Sequence, residues 1–141
     1  MEVIVSKLES IQKCIDRILE EYDADKANLD DITKQDSIIL NIQRACELSI
    51  DIGNYIISKE KYRVPVASRE IFEILKDNSI IEDSLSINMQ RMVGFRNIAI
   101  HDYKRLNVSI IESIIENNLE DFRMFINSVL KYMNDIVTRN S

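Results

Sequence analysis

The chain has 141 residues, a formal net charge of −6, two glycines and one proline. This length suits a single domain over residues 1–141 whose core needs no disulfide or metal, and scarce Gly and Pro argue against β-rich folds with many tight turns. The negative charge argues against broad, charge-driven binding of nucleic acid. No apolar run approaches the roughly 20 residues of a membrane span and no signal peptide is visible, so we expect a cytoplasmic protein.

The first predicted helix covers residues 2–26, because its apolar residues recur at alternating steps of four and three. These residues are Ile4, Leu8, Ile11, Ile15, Ile18 and Tyr22. A second helix runs to about Ser58. Its candidate N-cap residues are Asp30, Asp31 and Thr33. Each helix holds one cysteine, Cys14 or Cys46, and we expect both thiols to be reduced and buried because no metal-binding spacing accompanies them.

Between residues 45 and 57 the apolar side chains of the second helix surround its axis instead of following one stripe. A helix that is apolar on several sides is buried on several sides. In so short a chain, one of these sides is a candidate contact with a second subunit. Gly53 would permit a close approach of helices there.

The rest of the chain predicts three more helices. Ser68 is the expected N-cap of a short helix over residues 68–77. A fourth helix begins at Asp83 or Ser84, and a last helix spans residues 108–137, with apolar residues at helical spacing in both. Together these elements predict an all-α fold, an antiparallel bundle of four long helices and one short helix.

One segment combines positive charge with unusual polar side chains. Between residues 91 and 105 four basic side chains accompany one acidic side chain, a net of +3 that leaves −9 for the rest of the chain. The segment also holds the only histidine, His101. Its polar residues flank Ile98, Ala99 and Ile100, which we expect to be buried, and polar groups beside a core need partners.

The spacing of the polar residues sets a geometric problem. On an ideal helix, Arg96 and Tyr103 point within about 20° of each other, and Asn97 shares a face with His101. Arg96 and His101, however, lie about 140° apart around the axis. Three arrangements could bring them together: the helix distorts or ends near His101, Arg96 bends around the helix, or a two-fold partner completes the site.

These residue types suit RNA cleavage without a metal ion, because the 2′-hydroxyl of RNA is itself the nucleophile. His101 can act as base or acid, and the planar fork of Arg96 suits phosphate. A lone histidine near a helix end is more often structural, so composition alone does not decide the matter. Asn97 is a supporting candidate. The candidates for contacting RNA are Arg91, Lys104 and Arg105.

The segment Met92-Val-Gly-Phe-Arg96-Asn97-Ile-Ala-Ile-His101-Asp-Tyr103 resembles the R-x4-H-x-Y signature of HepT-type proteins of the HEPN superfamily. The similarity extends to residues 45–53, to residues 65–75 and to Leu119-Glu-Asp-Phe122. It therefore covers most of the chain, with no departure at the three signature positions.

The resemblance implies a HEPN-like helical bundle that dimerises, with two R-x4-H motifs lining a cleft at the interface. It implies the toxin of a type VII toxin–antitoxin system, a metal-independent endoribonuclease that acts on tRNA and needs no cofactor. The implied partner is an MntA-type minimal nucleotidyltransferase antitoxin, which silences the toxin by AMPylation of the motif tyrosine. By position, Arg96 and His101 would be catalytic and Tyr103 would be modified.

A second hypothesis belongs to another functional class: a non-catalytic subunit that binds nucleotide or partner for a minimal nucleotidyltransferase. The net charge of −6 mildly favours it. The intact Arg96, His101 and Tyr103 favour the nuclease, since a scaffold would not need the histidine. A purely structural bundle is the third hypothesis.

Overall fold

Within residues 2–140, which the computed structural model describes, the protein has six α-helices, two 3₁₀ turns and no strand. The helices are α1 (Glu2–Tyr22), α2 (Ile32–Glu60), α3 (Ser68–Asp77), α4 (Asp83–His101), α5 (Val108–Asn117) and α6 (Leu119–Arg139). The 3₁₀ turns are Lys26–Asp30 and Tyr103–Arg105. The predicted all-α fold is confirmed. None of the described helices is long and apolar enough to cross a membrane.

Helices α1 and α2 form an antiparallel pair, and the predicted apolar stripe of α1 is buried against α2. The prediction that the first helix reaches residue 26 is wrong, because Asp23 and Ala24 adopt positive φ angles of 48° and 53° that end it at Tyr22. Of the three candidate caps for the second helix, Asp31 is the N-cap, and its side chain accepts a hydrogen bond from the Lys34 backbone N–H.

Helix α2 is buried on several sides, as its sequence predicts, and the covering helices are α1, α3, α4 and α6 of the same chain. A Cβ atom added at Gly53 would lie 2.3 Å from Cγ2 of Ile71 on α3. The close approach that Gly53 permits is therefore made by α3 within the chain, and the expectation of a second subunit at this glycine is wrong. Both cysteines are buried and free, as predicted.

The last predicted helix is divided in two at Asn118, so the described part of the chain has two short helices, α3 and α5, instead of one. The side-chain amide of Asn118 donates to the buried carboxylate of Asp121 at 2.9 Å. Asp121 also accepts a hydrogen bond from Asn88 on α4 at 3.1 Å. Two amide donors therefore satisfy this buried carboxylate and fix the α5–α6 junction against α4.

Aromatic packing joins α3 to α6. The rings of Phe72 and Phe125 meet edge to face, with centroids 5.8 Å apart. Both side chains are almost fully buried. Burial of a phenylalanine side chain contributes roughly 1.5–3 kcal/mol, so this pair holds the short helix α3 firmly on the bundle. Because α3 begins at Ser68, this packing also positions one end of the candidate site.

Candidate functional site

Arg96 lies on α4 and extends to the first residue of α3. Its Nη2 donates to the hydroxyl oxygen of Ser68 at 3.2 Å. The prediction of Ser68 as an N-cap is wrong, because Ala67 occupies that position without a side-chain cap and the Ser68 hydroxyl is instead the acceptor for Arg96. Among the described residues, Nε of Arg96 is buried and has no hydrogen-bond partner. The guanidinium of Arg96 thus lies beside the N-terminus of α3, and a helix N-terminus favours anions.

The thiol of Cys46 anchors the same turn of α4 to α2. Its sulfur donates to the carbonyl oxygen of Met92 at 3.5 Å. Burial raises the pKa of the Cys46 thiol, and the positive charge of Arg96 acts in the opposite direction. Arg96 therefore lies between α2 and α3, close enough to Cys46 for its charge to affect the thiol.

A second arginine, Arg69, lies across the turn of α4 that precedes Arg96. A Cβ atom added at Gly94 would lie 2.7 Å from Nη2 of Arg69. The absence of a side chain at Gly94 therefore lets this guanidinium lie against α4. Sequence reasoning missed Arg69, and its only signal was the glycine within the motif.

His101 is the last residue of α4 and is exposed to solvent. Within residues 2–140 it makes no hydrogen bond or ion pair. The helix does end near His101, but it remains regular from Arg96 to His101, so the two side chains still leave the axis about 140° apart. Of their neighbours, Ala99 is buried as expected, whereas Ile100 is 43% exposed and its expected burial is wrong. One chain alone does not bring Arg96 and His101 together.

Tyr103 lies in the second 3₁₀ turn and not on α4. The expectation that it points within about 20° of Arg96 is therefore wrong, because the helix on which that angle depends ends at His101. The Tyr103 hydroxyl donates to Asp36 on α2. Burial, this hydrogen bond and the charge of Asp36 raise the pKa of Tyr103 to about 12. The phenol is thus held against α2, while Arg96 is held against α3.

A small groove of about 250 Å³ lies beside the Tyr103 ring. Its other lining residues, all on α2, are Asp36, Ile39, Leu40 and Gln43. The three candidate RNA-contacting residues Arg91, Lys104 and Arg105 are exposed, and Nε of Arg105 lies 3.7 Å from Oδ2 of Asp102. No cluster of three or more metal-ligating side chains occurs in the described part of the chain.

A family model described as ribonuclease HepT-like matches residues 8–129. The chain belongs to this family. The mRNA nuclease HepT of Shewanella oneidensis is 42% identical over 128 residues, which cover 91% of this chain and 96% of the relative.

Two solved structures of the family share the fold. A tri-AMPylated HEPN toxin of Shewanella oneidensis, in complex with an MNT antitoxin, is 42% identical with a TM-score of 0.88, and the match covers 93% of this chain and 98% of the toxin. A toxin–antitoxin structure with AMP-PNP is 41% identical with a TM-score of 0.87, covering 93% and 99%. The HepT-like family, the HEPN fold and the enzyme class, an endoribonuclease of the toxin–antitoxin kind, are thus as predicted. The roles of individual site residues stay predictions.

Proposed function

We propose that this protein cleaves RNA without a metal ion, with Arg96 and His101 as the catalytic residues. The observation that carries the proposal is the guanidinium of Arg96, which is half-buried and bound to Ser68 at the N-terminus of α3. An arginine fixed in this way can receive a phosphate and stabilise the charge that develops on it. The exposed imidazole of His101 is free to act on the substrate.

The reaction balances without a protein nucleophile. The 2′-hydroxyl gives its proton to a base, its oxygen attacks the adjacent phosphorus, and the bond from phosphorus to the 5′-oxygen breaks. The leaving 5′-oxygen takes up a proton, and the products are a 2′,3′-cyclic phosphate and a 5′-hydroxyl. His101 serves as the base or as the acid, Arg96 stabilises the phosphorane, and Asn97 supports His101 on the same face of α4. Arg91, Lys104 and Arg105 contact the RNA backbone.

A two-fold dimer completes the site. Within one chain α4 keeps Arg96 and His101 on different sides of the helix, so a second copy is needed to place a histidine beside each arginine. The exposed Ile100 beside His101 supports this contact, since an apolar side chain next to the motif is available for burial.

Regulation would act through Tyr103. The solved relatives are a tri-AMPylated toxin bound to an MNT antitoxin and a toxin–antitoxin structure with AMP-PNP. We extend this partner class to the present chain: an MntA-type nucleotidyltransferase transfers AMP from a nucleoside triphosphate in the cytoplasm. The Tyr103 oxygen forms a bond to the α-phosphorus, the bond from that phosphorus to pyrophosphate breaks, and the phenolic proton passes to Asp36, which already accepts its hydrogen bond.

The nuclease assignment is tested with purified protein, tRNA and a mixed mRNA as separate substrates, since the relative is named an mRNA nuclease and the family resemblance implies tRNA. Cleavage should persist in EDTA and leave cyclic phosphate ends. His101→Ala should lose activity roughly 100-fold or more, whereas Arg123→Ala, at a half-buried position on α6, should not. Complete loss in EDTA, or full activity of His101→Ala, would overturn the assignment. No cleavage of either RNA would favour the non-catalytic subunit.

The modification is tested by co-expression with an MntA-type nucleotidyltransferase. Intact mass should increase by whole AMP groups, and fragmentation should place them on Tyr103. Tyr103→Phe should stay unmodified and remain toxic in the presence of the partner, whereas Tyr55→Phe should behave like wild type. AMP found on another residue of Tyr103→Phe would show that the modified residue is misassigned.

A further inference from the structure

A basic groove of about 610 Å³ runs between α1 and α2. Lys13 and Arg17, one turn apart on α1, line it together with Arg44 on α2. All three are exposed, and none has an ion-pair partner among the described residues, although the whole chain carries a net charge of −6. Two carboxylates line the groove as well. Asp51 pairs with Lys7 at 3.3 Å, whereas Glu47 accepts a hydrogen bond only from the neutral amide of Gln43. The groove therefore presents three cations without ion-pair partners against one such carboxylate, a net of +2 (3 − 1).

This groove adjoins the groove beside Tyr103. Leu40 lines both of them. The residue that holds the phenol, Asp36, precedes Arg44 by eight positions on α2, which corresponds to about 12 Å along the helix axis. Arg44 therefore lies two to three helical turns along α2 from the residue that holds the Tyr103 hydroxyl.

The contact between Tyr103 and Asp36 could not survive esterification of the phenol. The esterified oxygen has no proton to donate, and the new phosphate would lie beside the carboxylate of Asp36. Repulsion from Asp36 and attraction to unpaired cations act in the same direction, along α2 toward the basic groove. Arg105, close in sequence, already lies near Asp102, so its charge is partly neutralised. Lys104, next to Tyr103, is exposed but offers a single cation, whereas the groove offers three.

We infer that the α1–α2 groove binds the phosphodiester-linked nucleotides attached to Tyr103, and that Lys13, Arg17 and Arg44 hold their phosphates. This inference rests on the proposed AMPylation of Tyr103. The related toxin carries three AMP groups, and three linked phosphates agree with a groove that offers several cations. The groove gives the modification a fixed position on the toxin itself, so the nucleotides would stay docked after the nucleotidyltransferase leaves.

The test compares AMPylated wild type with a triple variant, Lys13→Gln, Arg17→Gln and Arg44→Gln. Each protein is modified by the nucleotidyltransferase, freed from it and treated with a phosphodiesterase, and loss of AMP is followed by intact mass. Docked nucleotides are shielded, so we expect the triple variant to lose AMP at least roughly 10-fold faster. The matched control replaces three exposed cations outside the groove with Gln and should digest like wild type. These are Lys61, Lys131 and Arg139.

Each outcome has one meaning. Equal digestion of wild type and the triple variant overturns the inference, as does equally fast digestion of the control. Absence of AMP on wild type overturns the proposed function, which intact mass shows before any digestion. The same two variants are also tested for binding of a labelled RNA in a His101→Ala background. A triple variant that loses RNA binding and keeps wild-type protection of AMP assigns the groove to the substrate and overturns the inference.

Discussion

Arg96 and Tyr103 belong to one short signature, but the fold holds them in different ways. Arg96 lies on a regular helix, between two other helices, and bonds to Ser68 at the end of a packed element. Tyr103 lies in a 3₁₀ turn, is 43% exposed and is attached to α2 by a single hydrogen bond. A group that stabilises a transition state needs fixed geometry, whereas a residue that another enzyme modifies must be reachable. The fixed Arg96 and the accessible Tyr103 therefore suit the two roles proposed for them.

The largest expected effect is at Arg96, the residue that the fold holds in a fixed position. Arg96→Lys should reduce RNA cleavage roughly 100-fold, because a lysine cannot donate to Ser68 and to a phosphate with the geometry of a guanidinium. Initial cleavage rates measure the loss, and circular dichroism checks that the fold persists. The matched control is Arg123→Lys on α6. A fully active Arg96→Lys would show that a point charge is sufficient at this position.

Gly53→Ala should destabilise the packing of α3 on α2. The added Cβ would meet the branched side chain of Ile71 at 2.3 Å, and we expect a loss of about 1–3 kcal/mol in the free energy of unfolding. Denaturant unfolding measures it. Gly94→Ala is the control, because its Cβ would meet only the flexible end of Arg69 and alanine has the higher helix propensity, so stability should hold or rise. A Gly53→Ala protein as stable as Gly94→Ala would contradict the described packing.

Ser68→Ala should have a smaller effect on activity. It removes the acceptor that positions Arg96, and loss of one hydrogen bond of about 1 kcal/mol corresponds to roughly a 5-fold lower rate. Ser68→Thr retains the hydroxyl and should restore most of the activity. If Ser68→Ala and Ser68→Thr are impaired equally, the hydroxyl does not position Arg96.

For Tyr103, the exposed residue of the pair, Asp36→Asn should lower the pKa from about 12 toward its usual value. The reason is that the substitution removes the carboxylate charge that favours the protonated phenol. Burial, the first cause of the increase, remains, so the decrease should be incomplete. Since the folded protein holds this proton more tightly, the stabilisation is complete below about pH 10 and disappears as the pH approaches 12. Ultraviolet titration of tyrosinate, with Tyr103→Phe as reference, measures the change. An unchanged titration would mean that Asp36 does not hold the phenol in solution.

The sequence predicts the bundle well where helical periodicity is strong, as in α1. It fails at Asn118, because the break in the last helix is fixed by Asp121 and by Asn88, which lies 33 positions before Asp121. A pattern within one helix contains no information on such a distant hydrogen bond. The end of α1 at Tyr22 has a local cause, the positive φ angles of Asp23 and Ala24, but no glycine or proline at residues 23–25 indicates it in the sequence.

For the candidate site as well, the sequence predicts some features and only the structure shows others. The motif residues could be named from the sequence, and the roughly 140° separation of Arg96 and His101 on one chain follows from helix geometry. The placement of Tyr103 could not be predicted, because it depends on where α4 ends. The contacts of Ser68 and Asp36 depend on which helices pack together, so only the structure identifies them.

The buried thiol of Cys46 provides a chemical probe for motion near the site. Its S–H donates to the carbonyl of Met92, at the turn of α4 that leads to Arg96, so a thiol reagent can reach it only when α2 and α4 separate. In a Cys14→Ala background, the labelling rate of Cys46 under native conditions would report how often the helix that carries Arg96 opens. Labelling of Cys46 thus measures the local opening of the helix that carries the proposed catalytic residues.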